Sequence, residues 1–198
     1  DALDNWKLLN RGDSYLNYSR WNNWKIRNSK LFNNLDYYFK FIRDKSFQKE
    51  FLETEKLHEF RNIFDNTPKY ADEYNKRFTK KEISKHEDYF NDLEGKNLNS
   101  AQRSAVVIDE NYHLLLAGAG SGKTATIISK VAYLIQKKGI NPNNILLTTF
   151  TKEASKELQT RIKKILNENI KAQTLHSFGM EVIGKVEGRK PSLAYDGK

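Results

Sequence analysis

The sequence contains no cysteine, which excludes disulfides and cysteine-ligated metals and fits a reducing compartment. No apolar run approaches the roughly 20 residues that a membrane-spanning helix needs, and no signal-peptide pattern is visible at the N-terminus. These absences favour a soluble, cytoplasmic protein with no membrane partner. The chain does not begin with Met, so we expect it to be a piece of a longer protein.

Charge and aromatic side chains are distributed unevenly along the chain. Of the net charge of +9, residues 1–97 carry +2 and residues 98–198 carry +7. In contrast, 19 of the 24 Phe, Tyr and Trp residues precede residue 98. This difference in composition between the two halves of the chain predicts two structural units. The basic second half suits a polyanion such as nucleic acid, although charge alone is equally consistent with an ordinary solvated surface.

The first part of the chain has the pattern of a helical arm. Residues 31–64 contain no Gly or Pro and repeat apolar residues at helical spacing, which predicts two helices or one long helix bent near Asp44–Ser46. Thr67 as N-cap and Pro68 as first helical residue predict the start of another helix. The tryptophans near the N-terminus, interleaved with Arg and Lys, could stack on nucleic-acid bases, but a small aromatic core is the favoured interpretation. We therefore predict an all-helical N-terminal region over residues 1–95.

One stretch, Leu114–Thr124, has the pattern of a phosphate-binding loop. Its three leucines predict a short buried strand, and a glycine-rich loop and a helix follow. In such a unit the backbone N–H groups and the helix N-terminus hold phosphates. Lys123 would then reach the β- and γ-phosphates of a nucleotide, and the Thr124 hydroxyl would bind Mg²⁺. Ala117 stands where the general motif has glycine.

Helices and strands are predicted to alternate over residues 96–198, which is typical of an α/β fold with a parallel sheet. Ligands of such sheets bind at the carboxyl ends of the strands. The predicted elements are a helix capped by Asn99 or Ser100 and ending at Val107, a strand Tyr112–Leu116, a helix Thr124–Lys138, a strand Ile145–Thr149, a helix Thr151–Leu166, a strand Lys171–Thr174 and a helix His176–Ile183.

Four segments of the second half have the order and spacing of a known set of motifs. They are Leu98–Val106, which resembles a Q motif; Ala117–Thr124, which resembles a Walker A motif with alanine at its first position; Thr148–Ser155, which resembles motif Ia; and Gln173–Phe178, which resembles motif Ib. Together they resemble the superfamily 1 DNA helicases of the UvrD/Rep type, whose Walker A includes this alanine, with helicase IV as the most similar branch. The resemblance covers about residues 88–190 and implies that residues 96–198 are the N-terminal part of a RecA-like P-loop domain.

The resemblance also implies roles for individual residues, with ATP and Mg²⁺ as cofactors and single-stranded DNA as partner. Gln102 would contact adenine, and Lys123 and Thr124 would take part in catalysis. The phosphates would lie on Gly118, Ala119, Gly120, Ser121, Gly122, Lys123 and Thr124, and the DNA on Phe150, Thr151, Lys152 and His176. Stacking suits the aromatic ring and the imidazole, while hydroxyl and ammonium groups suit phosphates. The alternatives are a buried strand-end role for Phe150 and a helix-capping role for His176.

Helicase ATPases also need a Walker B Asp-Glu pair, and no candidate strand with this pair follows residue 176. The chain is therefore expected to be an N-terminal portion that binds ATP without turning it over by itself. The resemblance implies a motor that moves 3′-to-5′ on single-stranded DNA. A second hypothesis is an adaptor whose helical arm binds RNA polymerase or another protein. A small-molecule P-loop kinase is disfavoured because Gln102 has Q-motif spacing.

Overall fold

A computed structural model describes residues 1–41, 54–91 and 97–189 of the chain. The chain divides into two compact units. The first consists of Asp1–Phe90 with Val107–Leu115, and the second of Asn91–Val106 with Leu116–Lys198. Each unit is described by itself. In the described ranges, no helix is long and apolar enough to cross a membrane.

The regular elements described in the first unit are all helices. Its aromatic side chains form the core: Trp6 and Trp24 are 5% and 4% exposed, and their ring centroids lie 4.8 Å apart. Trp24 also packs edge-on against Phe60 at 5.9 Å and donates its indole N–H to the Ala2 carbonyl at 2.9 Å. The prediction of an aromatic core is confirmed for these two tryptophans. The helices are α1 (Ala2–Leu9), α2 (Tyr18–Phe41), α3 (Thr54–Asp65), α4 (Thr67–Lys85) and α5 (Glu87–Asn91).

A buried asparagine joins α4 to the segment before α2. The Asn75 side chain accepts a hydrogen bond from the Leu16 N–H and donates one to the Leu16 carbonyl, both at 2.9 Å. Leu16 is completely buried and Asn75 is 8% exposed. The amide therefore satisfies two backbone groups that water does not reach, as buried polar groups require.

The N-terminus of α2 is capped by residues far along the chain. Glu110 accepts the Tyr18 N–H at 3.0 Å, and Asn111 accepts the Ser19 N–H at 2.9 Å. A carboxylate at a helix N-terminus satisfies an orphan donor and interacts favourably with the helix dipole. Burial raises the pKa of the Tyr15 phenol to about 12, and the neighbouring Glu110 carboxylate adds to the shift.

Two predictions about helix boundaries meet different outcomes. The predicted bend near Asp44–Ser46 lies outside the described residues. Thr67 was predicted as an N-cap, which is wrong: it is the first residue of α4, and Asn66 precedes it as the cap. The Thr67 hydroxyl donates to the carbonyls of Ile63 and Phe64, because the side chain is fully buried against the end of α3.

The second unit combines helices with a two-stranded parallel sheet. Strands β1 (Leu146–Thr149) and β2 (Lys171–Thr174) pair with Leu146 opposite Lys171 and Thr149 opposite Thr174. Both strands therefore end at the same edge, as parallel pairing requires. The helices are α6 (Ser100–Val107), α7 (Lys123–Gln136), α8 (Lys152–Leu166) and α9 (Leu175–Glu187), with a short 3₁₀ helix at Pro142–Asn144.

The core of the second unit lies between α7 and α8. It is formed by apolar side chains that are 8% exposed or less: Ile128, Val131, Leu158, Ile162 and Ile170. On α8 the residues Leu158 and Ile162 stand four apart, which places them on one helix face. An α/β arrangement with a parallel sheet is thus confirmed for this part of the chain.

The predicted strand over Tyr112–Leu116 is wrong. In the described residues this segment forms neither strand nor helix, and β1 and β2 pair only with each other. Leu114 and Leu116 are 78% and 83% exposed. An apolar run forms a buried strand only where a neighbouring strand takes its backbone hydrogen bonds and helices cover its faces. The described part of the chain supplies no such neighbour.

Candidate nucleotide loop and nucleic-acid groove

The glycine-rich loop leads directly into α7. Gly120 and Gly122 have φ values of +72° and +87°, in the left-handed region that glycine adopts without strain. A Cβ added at Gly118 or Gly120 would meet no atom within 4 Å, so the loop is open on that side. Gly122 is the N-cap of α7, and no side chain caps this helix. The loop and the uncapped N-terminus of α7 thus have the arrangement of an anion-binding site.

Lys123 and Thr124 are the first two residues of α7. The Lys123 ammonium group is folded back on the loop and donates to the carbonyls of Ala117 at 2.9 Å and Gly118 at 2.6 Å. Ser121 Oγ also donates to the Gly118 carbonyl, at 2.8 Å. Thr124 is half-buried in the first helical turn. The Lys123 ammonium group is therefore hydrogen-bonded within the loop itself.

Gln102 lies beside the loop. Its Nε2 donates to the Ser121 carbonyl at 3.1 Å. Its Oε1 accepts the Asn99 N–H at 2.9 Å, while the Asn99 side chain accepts the Gln102 N–H at 3.0 Å. This reciprocal pair is a capping box at the start of α6. A Cβ at Gly122 would lie 2.6 Å from Gln102 Nε2, so the contact requires glycine there.

The ends of β1 and β2 open into a groove of about 1040 Å³. Phe150, Thr151 and Lys152 follow β1, and His176 follows β2; all four line this groove. Phe150 is 94% exposed, which excludes the alternative of a buried strand end. The structure therefore brings the four side chains predicted for DNA binding to one surface.

Two threonines cap the helices that border the groove. Thr151 Oγ1 accepts the Ala154 N–H at 3.1 Å and caps α8, and Thr174 Oγ1 accepts the Ser177 N–H at 3.1 Å and caps α9. His176 is exposed in the first turn of α9 and is not the cap, so the capping alternative for this histidine is wrong. The caps fix the start of each helix and therefore the positions of Lys152 and His176 in the first helical turns.

One wall of the groove was not found from the sequence. It is formed by one side of α9 and the residues just after that helix: Met180, Glu181, Gly184, Lys185, Gly188 and Arg189. The spacing of four between Met180, Gly184 and Gly188 is a signal for one helix face, but such a stripe is more often a packing surface. Hydrogen bonds from Lys171 and Lys185 lower the pKa of the Glu181 carboxyl to about 2.

No three His, Asp or Glu side chains cluster in the described residues in a way that could hold a metal ion.

Comparison with known proteins matches the same region. Residues 98–190 match the model of the UvrD/REP helicase N-terminal domain. Residues 98–190 are thus similar to the N-terminal domain of the UvrD/REP helicases. The match begins at the Q-motif segment and ends after α9, so it spans both the loop and the groove.

The matches with individual relatives cover only a small part of each relative's length. DNA helicase IV of Escherichia coli is 34% identical over 123 residues, which are 62% of this chain and 18% of that protein. ATP-dependent DNA helicase Rep of Buchnera aphidicola is 44% identical over 93 residues, 45% of this chain and 14% of the relative. ATP-dependent DNA helicase PcrA of Staphylococcus epidermidis is 40% identical over 91 residues, 44% and 12% respectively. The chain thus spans less than a fifth of the length of these relatives.

Proposed function

We propose that this chain is the nucleotide- and DNA-binding portion of an ATP-dependent helicase that moves on single-stranded DNA. The observation that carries the proposal is the exposure of Phe150 at the end of β1, in one groove with Lys152 and His176. An aromatic ring that is 94% exposed gains nothing from the core, whereas it offers a stacking surface for a base. The 3′-to-5′ direction and the RecA-like identity of the second unit follow from the family resemblance and belong to the same proposal.

The loop before α7 fits the polyphosphate of a nucleotide. Its glycines carry positive φ angles, its outer side is open, and the first turn of α7 has no side-chain cap. In this proposal Lys123 exchanges its carbonyl partners for phosphate oxygens, Thr124 holds Mg²⁺, and Gln102 faces the base. ATP, when bound, supplies the free energy of phosphoryl transfer to water.

The placement of lysines at helix starts also supports anion binding. Lys123 and Lys152 are the first residues of α7 and α8. A cation at a helix N-terminus interacts unfavourably with the dipole, at a cost of roughly 0.3–1 kcal/mol. Sites that break a local rule are often functional, because a ligand offsets the cost. Phosphate groups of nucleotide and DNA would offset it here.

The test is binding of a fluorescent dT16 oligonucleotide to the full chain over a salt series. We expect the Phe150→Ala, His176→Ala double variant to lose about tenfold or more in affinity, since stacking contributes roughly 1–3 kcal/mol per base. Tyr112→Ala is the matched control because Tyr112 is an aromatic residue of 92% exposure that does not line the groove. Equal affinities of the double variant and the control would contradict the proposal.

The nucleotide half of the proposal is tested separately. Binding of a fluorescent ATP analogue should be abolished in Lys123→Ala and retained in Lys137→Ala, a lysine that caps the other end of the same helix. Retention of full nucleotide affinity in Lys123→Ala would remove the loop from the proposal.

A further inference from the structure

The groove continues along α9 beyond the residues that carry the family motifs. Past His176 its wall is formed by Met180, Gly184 and Lys185, and Arg189 lies at its far end. Gly184 has no side chain to fill the groove at its middle. A polymer that enters over Phe150 therefore has a continuous path of basic and apolar surface along this helix.

A single carboxylate interrupts the positive charge of this wall. Glu181 pairs with Lys171 and, at 3.0 Å, with Lys185, and it also accepts a hydrogen bond from Gln173 Nε2 at 3.2 Å. Lys171 lies on β2 and Lys185 one turn further along α9, so the carboxylate joins the strand to the helix. A glutamate is ionised at physiological pH in any case, and the hydrogen bonds from Lys171 and Lys185 lower its pKa further.

The two paired lysines are accessible. The side chains of Lys171 and Lys185 are 50% and 76% exposed, whereas that of Glu181 is 29% exposed. Ion pairs of such exposure contribute little to stability, typically about 0–1 kcal/mol. A phosphate can therefore compete for either ammonium group at small cost to the fold, and the carboxylate is the group that opposes it.

We propose that Glu181 limits the affinity of the groove for phosphates by holding Lys185, which lines the groove, in an internal ion pair. Lys171, the other partner of Glu181, lies on β2 outside the lining of the groove. DNA that follows α9 must displace this carboxylate before Lys185 contacts its backbone. This inference rests on the proposed function, because it takes the groove to be the path of single-stranded DNA. It adds a residue that lowers affinity, which would favour the repeated release that movement along a strand requires.

The proposal predicts a gain of binding from the loss of one charge. Glu181→Gln should raise the affinity of the full chain for dT16 about three- to tenfold at 50 mM salt. The affinity should also fall more steeply with salt, because one additional phosphate contact steepens the slope of log K against log salt by about 0.7 on single strands. Adding Lys185→Gln to Glu181→Gln should remove this extra slope.

A matched control separates this effect from a general change in net charge. Glu157→Gln removes the same charge from α8, where Glu157 pairs with Arg161 at 3.4 Å in the same four-residue spacing and does not line the groove. We expect less than a twofold change in affinity for this variant. Circular dichroism of both variants checks that the helices are retained.

Failure of the inference and failure of the proposed function give different results. If Phe150 and His176 matter for binding but Glu181→Gln binds no more tightly than Glu157→Gln, or more weakly, the inference is wrong and the DNA groove stands. If dT16 binding does not depend on Phe150 and His176 at all, the proposed function fails first and the inference fails with it.

Discussion

The two units use similar residue types in opposite ways. In the first unit aromatic rings are enclosed: Phe60 is 3% exposed and lies among Trp24, Phe32 and Phe64. In the second unit Phe150 is 94% exposed at the rim of a groove. Polar groups follow the same division, since Asn75 is committed to Leu16 inside the first unit, whereas Lys152 and His176 face solvent. The difference shows which side chains maintain the fold and which are free to bind a ligand.

The sharpest test of this comparison is to truncate one phenylalanine in each unit. Phe60→Ala should lower the free energy of unfolding of the first unit by about 3–5 kcal/mol, because it leaves a cavity among packed rings. All three tryptophans lie in that unit, so tryptophan fluorescence during urea unfolding reports on it alone. Phe150→Ala should leave the urea midpoints by fluorescence and by circular dichroism unchanged. A stability loss above about 1 kcal/mol in Phe150→Ala would show that the exposed ring supports the fold after all.

Next in size is the loss of the buried amide of Asn75. Asn75→Ala should cost about 2–4 kcal/mol, since the N–H and carbonyl of Leu16 lose both partners in a water-free site. Urea unfolding monitored by tryptophan fluorescence measures it. Asn66→Ala is the control, because Asn66 is exposed and bonds only within the turn between α3 and α4. Equal effects of the two substitutions would mean that burial does not distinguish them.

In the second unit, Gly122→Ala should act on binding more than on stability. A φ of +87° costs an alanine about 1–2 kcal/mol, and its Cβ would lie 2.6 Å from Gln102 Nε2. We expect a modest drop in the thermal midpoint by circular dichroism and a loss of nucleotide-analogue binding of tenfold or more. Gly139→Ala, with a φ of +67° but no atom within 4 Å, carries similar strain without the contact. If both variants lose nucleotide affinity equally, the Gln102 contact is irrelevant.

The smallest predicted effect is at the cap of α2. Glu110→Gln should destabilise the first unit by about 0.5–1 kcal/mol at pH 8, because a charged acceptor at the helix N-terminus becomes neutral. The raised pKa of Tyr15 adds a pH signature. A phenol whose pKa is higher in the folded state stabilises the fold below pH 10, and this stability is lost as pH rises from 10 to 12. The loss in this window should be smaller in Glu110→Gln, where burial and the weaker effects of Asp72 and Asp109 still raise the Tyr15 pKa but the Glu110 charge no longer does. An identical pH profile would contradict this prediction.

The sequence predicted the second unit well where a local pattern was sufficient. The bounds of β2 and the end of α6 at Val107 were predicted to the residue. The helix predicted from Thr151 begins one residue later, at Lys152, because the Thr151 side chain caps it. The segment Leu114–Leu116 was mispredicted because burial of a strand depends on neighbours that a local pattern does not contain. Glu181 was missed for a related reason: a carboxylate on a helix shows nothing of the lysine on β2 that lies beside it. Roles on adenine, phosphate and DNA remain predictions.

The resting position of Lys123 has a thermodynamic consequence. Its ammonium group already donates to the Ala117 and Gly118 carbonyls, so a triphosphate replaces two existing hydrogen bonds. The heat released when a phosphate binds Lys123 is then the difference between the new hydrogen bonds to phosphate and the lost hydrogen bonds to the two carbonyls. It is smaller than the heat that an unpaired ammonium group would release. The freed carbonyl oxygens must be hydrated again or find other donors. If the loop binds nucleotides as proposed, selectivity for polyphosphates over a single phosphate would follow, because a chain of phosphates can contact Lys123 and the backbone N–H groups of the loop at the same time and so compensates for opening the loop.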